Sequence, residues 1–424
     1  MRYNRRSTVF GIVMKSNCQL LIVGAGAAGI GAGQAARIAG IDTMIVEASH
    51  RTGGRGLTEE LAPGILWDLG CHWLHSASIN PLAPVARELG LNYDTDLPGR
   101  EFYLHGTRLT TEQKSDYERY TKKQWQTIEQ AEADGNDVAA SDLIDCDSPW
   151  TPYFCYYQSL NSSEDVDRFS ILDLARYEDT GEDWPVREGY GTLLTQHAAG
   201  LAVELNTKVE RIDWSAASIA VTTNRGVIRA DQVVVTVSTG VLGARDITFV
   251  PALPLATQEA ITALPLGCYN HCAMLYKEDS NFDPDTPERI DYSNGDEINF
   301  AFNLRCSGWP YIYTAVAGRQ ARWLERQPPA EMEQLMMSAL IDTFGSDIRN
   351  KIIKFKSSAW SGDPFIKGAY SASQPGQADQ RKVLATPIAD RLYIAGEATS
   401  ERAFCTAHGA WQSGRDAVHK IIAS

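Results

Sequence analysis

Residues 18–29, which read Cys-Gln-Leu-Leu-Ile-Val-Gly-Ala-Gly-Ala-Ala-Gly, decide the fold of this chain. The short apolar run predicts a buried parallel strand, and an Ala-rich stretch up to Gly40 predicts a helix behind the glycines. Residues 43–46 predict a second strand, which Glu47 closes. Glycines at this spacing allow a tight turn, close approach of the backbone to a pyrophosphate and close helix packing. The predicted nucleotide contacts are Gly24, Gly26, Ala27, Ala28, Gly29, Glu47 and Ala48.

These residues are compatible with either NAD or FAD. Gly33 continues the small face of the predicted helix, and Gly53-Gly54-Arg55 follows the second strand. A glycine pair lets the backbone come close to a ligand, and an arginine can balance the charge of a diphosphate.

Composition excludes several other functions. The chain has 424 residues, 44% of them hydrophobic, and a formal net charge of −14, so it can form a core and is poorly suited to nucleic acid. No apolar run approaches the roughly 18 residues of a membrane span. The eight cysteines form no CxxC pair, so we expect reduced thiols and a cytoplasmic protein. Residues 1–16 are expected to be a tail.

The residue pattern changes several times along the rest of the chain. Residues 76–184 are polar and are expected to be helical with long loops. Strand patterns return at 208–237, a different set of strands is predicted over 272–327, and a helix is predicted at 330–344. The chain ends in a strand near 391–395 and a final helix. This pattern predicts an α/β protein with two interleaved domains.

Five motifs resemble those of the flavin-dependent amine oxidases, the group that includes monoamine oxidases, polyamine oxidases and flavin histone demethylases. The resemblance extends over about residues 18–420, and the C-terminal motif is most similar to that of polyamine and spermine oxidases. The motifs lie at 24–29 with 47 and 51–55, at 68–75 with 80–81, at 235–267, at 360–371 and at 395–414.

The resemblance implies a two-domain architecture of the glutathione-reductase type, in which a Rossmann-like FAD-binding domain is interleaved with an α+β substrate domain. Residues 17–75, 185–271 and 356–424 would form the FAD-binding domain, and residues 76–184 and 272–355 the substrate domain. The cofactor contacts that it adds are Gly54, Arg55, Leu69, Gly70, Cys71, His72, Trp73, Val209, Trp360, Gly396, Glu397, Thr406 and Ala407.

This sequence departs from the family pattern at residues that the resemblance places beside the flavin ring and the substrate. Ala369 stands where monoamine oxidases carry the cysteine that binds flavin, so the resemblance implies non-covalent FAD. Tyr370 matches the first ring of the aromatic cage, and Thr406 replaces the second. His271 replaces a lysine that holds a water molecule, and it is expected to hold that water or to act as a base. His75 is expected at the substrate entrance, with a purely structural role as the alternative.

The implied reaction is oxidation of a primary or secondary amine, possibly a polyamine. Hydride passes from the α-carbon to flavin N5, the imine gives an aldehyde, and O2 becomes H2O2. An L-amino-acid oxidase, which needs an arginine for the carboxylate, and a dehydrogenase or desaturase remain open. A flavin-binding interaction protein is the non-enzymatic alternative. Cys71, His72 and His75 lie close in sequence but lack a fourth ligand, so no metal site is expected.

Overall fold

The computed structural model describes residues 16–95, 99–277, 288–296 and 298–424, without the side chain of residue 306. Its strands are β1 Asn17–Val23, β2 Thr43–Val46, β3 Thr58–Ala62, β4 Ile65–Asp68, β5 Trp73–Leu74, β6 Arg100–Leu104, β7 Thr107–Arg108, β8 Trp184–Pro185, β9 Val203–Glu204, β10 Val209–Asp213, β11 Ile219–Thr223, β12 Gly226–Val235, β13 Thr248–Val250, β14 Tyr269–Tyr276, β15 Arg289–Ser293, β16 Asn299–Leu304, β17 Tyr311–Ala317, β18 Ile352–Ser357 and β19 Leu392–Ile394. Its α-helices are α1 Ala27–Ile38, α2 Leu82–Glu88, α3 Thr111–Asp134, α4 Thr151–Ser162, α5 Ile171–Ala175, α6 Tyr190–His197, α7 Thr239–Gly243, α8 Leu255–Ala263, α9 Gly318–Leu324, α10 Pro329–Phe344, α11 Gln380–Leu384 and α12 Ala407–Ala423.

The first sheet is built around β1, which is parallel to both β12 and β2. Its order is β13-β10-β11-β12-β1-β2-β9, and β19 also pairs with β12. The side chains of β1 from Leu20 to Val23 are buried, as expected for a parallel strand that is covered on both faces. The glycine-rich turn therefore lies at the carboxyl end of a central strand, where open α/β sheets bind ligands.

Small residues bring the two ends of the chain together where α1 packs on α12. A Cβ added at Gly31 would lie 2.1 Å from the Trp411 carbonyl oxygen, and one added at Gly414 would lie 1.9 Å from that of Ala28. Larger side chains at these positions would separate the helices. The close contact positions the start of α12 beside the glycine-rich turn.

The second sheet has the order β18-β14-β17-β16-β15-β6-β7 and is antiparallel except between β15 and β6. Its core includes buried side chains of α10, among them Met332, Met336 and Leu340. β6 and β7 lie in the segment that was expected to contain only helices and loops, and that expectation was wrong. The hairpin is short, and β6 pairs with β15, which lies nearly two hundred residues further along the chain.

The architecture is the predicted mixed α/β fold with two sheets built from separate pieces of chain. The predicted domain boundary after residue 271 lies inside β14, and the one after residue 355 lies inside β18. Within the described residues, none of the helices combines the length and apolar character that crossing a bilayer requires. Residues 1–15 of the expected tail lie outside the described part of the chain.

Candidate active site

A cavity of about 550 Å³ is lined by residues of both sheets and of α1, α4 and α12. All the predicted site residues line it except Gly29 and Leu69. A Cβ at Gly29 would lie 1.9 Å from the Gly24 carbonyl oxygen, so this glycine serves the close packing of helix on turn. Leu69 contributes through its backbone, because its carbonyl oxygen accepts a hydrogen bond from Trp360 Nε1 at 2.8 Å.

Backbone forms one end of the cavity, at the N-terminus of α1. Gly24 has φ +106°, and Gly54 has φ +56° and approaches the Cα of Gly26, where an added Cβ would come within 3.1 Å. Gly26 is the N-cap of α1, and its cap carries no side-chain hydrogen bond. Helix N-termini attract anions through exposed N–H groups and the helix dipole. Bare backbone at this point fits a diphosphate, which a larger side chain would exclude.

Glu47 completes this end. Its Oε2 accepts a hydrogen bond from Ala25 N at 2.7 Å, and its Oε1 accepts one from Ser49 N at 2.8 Å. These contacts hold the carboxylate against the turn, with Ala48 and Val209 on the same cavity wall. A fixed carboxylate at the end of the second strand suits the hydroxyls of a ribose.

A buried charged network joins the nucleotide end to the centre of the cavity. Glu397 accepts hydrogen bonds from Arg55 Nη1 at 3.0 Å, Ser371 Oγ at 2.7 Å and Cys405 N at 3.2 Å. Burial acts to raise the pKa of Glu397, but the charges of Arg55 and Arg381 outweigh it and lower the pKa. Glu397 is therefore a carboxylate, and Gly396 beside it also lines the cavity.

Arg381 supports this network from behind and was not identified from the sequence. It is completely buried and makes a bidentate ion pair with Asp173, with bonds of 2.7 and 2.8 Å. It also donates to Ser371 Oγ at 2.8 Å, and that hydroxyl bonds Glu397. Arg381 thus orients the carboxylate without lining the cavity itself.

His271 lies at the opposite, reacting end, and both of its ring nitrogens are hydrogen-bonded. Nδ1 lies 2.8 Å from the carbonyl oxygen of Asp68, and Nε2 lies 2.9 Å from the hydroxyl of Tyr313. Because a carbonyl only accepts, Nδ1 carries the proton and Nε2 accepts from Tyr313. Burial lowers the pKa of His271 to about 4, so the imidazole is neutral at pH 7.

Tyrosine rings form much of the wall around His271. The ring centroids of Tyr269 and Tyr370 are 5.4 Å apart, and the Tyr370 hydroxyl donates to the carbonyl of Leu160. Thr406, at the second cage position, donates to Ala403 O at 2.7 Å and accepts from Gly409 N at 3.0 Å as the N-cap of α12. The tyrosines that line the cavity are Tyr156, Tyr157, Tyr177, Tyr269, Tyr313 and Tyr370.

The predicted entrance residue, His75, forms an ion pair on the cavity wall. Its Nδ1 lies 2.7 Å from Asp183 Oδ1, and the two side chains are 42% and 37% exposed. Burial acts to lower the pKa of His75, but the charges of Asp183 and Asp179 prevail and raise it. His72 lies deeper, with its Nδ1 3.0 Å from Asp68 Oδ2.

Two thiols line the cavity, and burial keeps both protonated. The pKa of Cys71 is raised to about 11, and that of Cys405 is raised well above its ordinary value. Since the thiolate is the nucleophilic form of cysteine, neither residue is suited to attack a flavin. Ala369, next to Tyr370, has no such group. The cavity therefore fits a cofactor held without a covalent bond.

Several residues that line the cavity were not among the predicted site residues, and only some of them could have been found from the sequence. Tyr269 is two residues before His271 on β14, so strand alternation puts both on one face. Tyr313 reaches the same face only because β17 pairs with β14 in the register Ala273–Tyr313, which no local pattern predicts. Arg289 and Asp183, which also line the cavity, carried no signal that separated them from surface residues.

The family model of the flavin-containing amine oxidoreductases matches residues 27–142 and 153–422. This chain belongs to that family. The members of that family are flavin-containing amine oxidoreductases, and the residues of the cavity fit FAD. The Rossmann-like strand and turn, together with Glu47 and Glu397, would hold this cofactor without a covalent bond.

Several relatives of this flavoenzyme are similar over nearly its whole length. Lysine-specific histone demethylase 1 homolog 2 of Arabidopsis thaliana is 25% identical, over 95% of this chain and 58% of the relative. Homolog 1 of Oryza sativa subsp. japonica is 28% identical, over 96% and 52%. The chain thus spans little more than half of these two proteins. Polyamine oxidase 4 of Oryza sativa subsp. japonica is 27% identical, over 93% of this chain and 86% of the relative.

Among solved structures, wild-type putrescine oxidase bound to putrescine superposes with a TM-score of 0.81 at 18% identity. The match covers 96% of this chain and 99% of that one. It shows that this flavoenzyme has the two-domain fold predicted from its sequence.

Proposed function

We propose that this flavoenzyme oxidises a primary or secondary amine at its α-carbon and uses O2 as the electron acceptor. The observation that carries the proposal is the neutral, buried His271–Tyr313 pair, which lies in a tyrosine-lined cavity that also contains the nucleotide cradle. When bound, FAD supplies the chemistry by accepting a hydride from the substrate and passing two electrons to O2, which gives H2O2. The oxidised substrate is an imine, which water hydrolyses to an aldehyde.

The cavity walls favour the amine form that can react. An alkylammonium ion has a pKa of about 10, and it must lose a proton before its nitrogen lone pair can assist loss of hydride. Half-buried aromatic rings such as those of Tyr269 and Tyr370 provide an apolar wall, where desolvation favours the neutral amine. The chain's contribution is to desolvate the amine, to orient its C–H bond and to exclude water.

Charge at the cavity wall favours a cationic amine on the way in. Asp179 and Asp183 both line the cavity beside His75. Asp183 is paired with His75 and is also affected by the charge of Arg289, which leaves the carboxylate of Asp179 to attract a cation. We propose His75 and Asp183 as the residues that receive the amine, in keeping with the entrance role predicted for His75.

Measuring the reaction products, aldehyde and H2O2, tests the proposal. Purified holoenzyme is incubated in air with putrescine, spermidine, spermine, tyramine, tryptamine and an N-methyl-lysine peptide, and aldehyde and H2O2 are measured. Equal amounts of both products from a small amine are the expected result. Aldehyde formed only with an added dye acceptor would identify a dehydrogenase, and oxidation of the peptide alone would identify a demethylase. Bound flavin with no product from any amine would favour a flavin-binding interaction protein.

Arg289 favours an L-amino-acid oxidase as a second candidate. It lines the cavity and shares the buried carboxylate of Asp291 with Arg100, and its charge also acts on Asp183. Its Nε makes no hydrogen bond to any described residue. A guanidinium group that lines a cavity can bind a substrate carboxylate.

Matched pairs of substrates separate the two candidates: phenylalanine with 2-phenylethylamine, and ornithine with putrescine. An amine oxidase oxidises the decarboxylated member of each pair faster. A preference for the amino acids that Arg289→Met abolishes would instead establish the second candidate. We also propose a cytoplasmic location, which the free cysteines Cys71, Cys268 and Cys405 support.

A further inference from the structure

Taking a proton from the substrate is a step of the proposed reaction for which His271 is poorly placed. Alkylammonium ions have a pKa of about 10, so only about one amine molecule in a thousand is neutral at pH 7. His271 is 3% exposed, and both of its ring nitrogens are hydrogen-bonded within the protein. A base elsewhere in the cavity would let the enzyme bind the abundant cation and then convert it to the form that reacts.

His75 lines the same cavity and has one ring nitrogen that makes no hydrogen bond to any described residue. Its other nitrogen, Nδ1, lies 2.7 Å from Asp183 Oδ1. A carboxylate only accepts, so Nδ1 carries a proton and the lone pair of the neutral imidazole is on Nε2. The side chain of His75 is 42% exposed, whereas that of His72, which also lines the cavity, is 4% exposed. Of His72, His75 and His271, His75 is therefore the one whose ring is most open to a substrate.

Asp183 gives this imidazole the partner that a base needs. Burial acts to raise the pKa of Asp183, but the charge and hydrogen bond of His75 and the charge of Arg289 prevail and lower it, so Asp183 is a carboxylate at pH 7. A carboxylate bonded to Nδ1 fixes the tautomer of the ring and stabilises the imidazolium that forms when Nε2 takes a proton. Asp183 thus prepares His75 to accept a proton at the nitrogen that remains open.

His75 lies within electrostatic reach of both the entrance carboxylates and the reacting end. Asp179 lines the cavity, and its charge acts on His75. The charge of His75 acts in turn on His271 of β14 and on His408 at the start of α12. A cation that Asp179 attracts is therefore close to His75 on its way to the reacting end. The other titratable or charged groups that act on His75 or Asp183 are His72 and Arg289.

We propose that His75 is the base that removes a proton from the substrate ammonium. Nε2 takes one proton from the nitrogen, so R–NH3+ and the neutral imidazole become R–NH2 and the imidazolium, whose charge Asp183 balances. The lone pair released on the nitrogen then assists loss of hydride from the α-carbon, and His75 returns its proton to solvent when the product leaves. This inference rests on the proposed amine oxidation and assigns its proton transfer to one residue.

The test follows the pH dependence of flavin reduction. Wild-type holoenzyme and His75→Asn are mixed anaerobically with putrescine, spermidine and 2-phenylethylamine between pH 6 and pH 10, and stopped-flow bleaching gives the second-order rate constant kred/Kd. In the wild type it should rise with pH through the pKa of His75 and then level off, because the neutral imidazole is the active form. In His75→Asn it should be about 100-fold lower at pH 7. It should keep rising with the fraction of neutral amine, so that the two enzymes converge near pH 10.

Two further variants and a measurement without substrate connect this profile to His75. Asp183→Asn removes a charge that raises the pKa of His75, so the rising part of the profile should move to lower pH together with that pKa, measured by NMR. The exposed His419→Gln should keep the wild-type profile. In the wild type above the pKa of His75, ¹⁵N NMR should show the ring proton on Nδ1.

The outcomes separate this inference from the proposed function. A loss in His75→Asn that is equal at every pH would assign His75 a structural role. That result, an unchanged profile in His75→Asn or Asp183→Asn, or a ring proton on Nε2 would each overturn the role of His75 as a base while leaving amine oxidation intact. Failure of all three amines to bleach the wild-type flavin at any pH would overturn the proposed function, and the inference with it.

Discussion

The two ends of the cavity are built in different ways. The nucleotide end consists of backbone at Gly24, Gly26 and Gly54 with a fixed carboxylate, all from one short stretch of chain. The reacting end consists of side chains such as His271 and Tyr313, which different strands of the second sheet bring together. The first end depends on the absence of side chains, and the second depends on the strand register. Substitutions should therefore affect cofactor binding at one end and selectivity at the other.

The largest expected effect is loss of cofactor from Gly29→Val. The new Cβ would lie 1.9 Å from the Gly24 carbonyl oxygen, so the turn and the start of α1 must separate. We expect the purified variant to contain almost no flavin, measured as flavin absorbance per mole of protein. Gly99→Ala is the control, because a Cβ there meets nothing within 4 Å. Normal flavin content in Gly29→Val would show that the glycine-rich turn and the start of α1 do not hold the nucleotide.

The next largest effect concerns the network that joins the two ends. Arg381→Met leaves the buried Asp173 without its bidentate partner, so we expect a loss of about 3–5 kcal/mol in the free energy of unfolding. Denaturant unfolding measures it. Arg119→Met removes an exposed pair with Asp116, so its free energy of unfolding should stay close to that of the wild type. Similar losses in both variants would contradict the buried network.

A third prediction concerns the pH dependence of stability at the reacting end. His271 has a pKa of about 4 in the fold, so between 6.5 and that value the unfolded chain binds a proton that the folded chain does not. Stability from this residue should fall with decreasing pH by up to about 3 kcal/mol, and His271→Phe should lack that part of the acid dependence. Unfolding curves between pH 7 and pH 4.5 measure it, with the exposed His419→Gln as control. The same acid dependence in His271→Phe and in wild type would show that His271 is not held neutral by burial.

The smallest effect is expected at the entrance. Asp183→Asn removes the main charge that raises the pKa of His75, so that pKa should fall when followed by NMR. In the wild type, the raised pKa stabilises the fold below pH 6.5, and this contribution disappears as the pH rises through the folded value. The exposed Asp347→Asn should leave the titration of His75 unchanged. An unchanged pKa of His75 in Asp183→Asn would show that the ion pair does not control the charge of His75.

Sequence prediction succeeded where the signal is local. The βαβ unit, the final helix, most strands of the first sheet and strands β14, β16 and β17 of the second follow from apolar periodicity and glycine spacing. It failed for the β6–β7 hairpin, because β6 is short and its partner β15 is remote. Tyr313 and Arg381 were not identified from the sequence for a related reason. The position of Tyr313 depends on strand register and that of Arg381 on a buried ion pair, and no local pattern encodes either. The glycine-rich turn at the nucleotide end could thus be predicted in detail, whereas the side chains around His271 could be predicted only in outline.

The measurement that tests the central claim most directly is the visible spectrum of the wild-type holoenzyme on anaerobic addition of putrescine, spermidine, spermine, tyramine and tryptamine. We expect that at least one of these primary or secondary amines bleaches the flavin bands and that air restores them. A bound flavin whose bands none of these amines bleaches would contradict it.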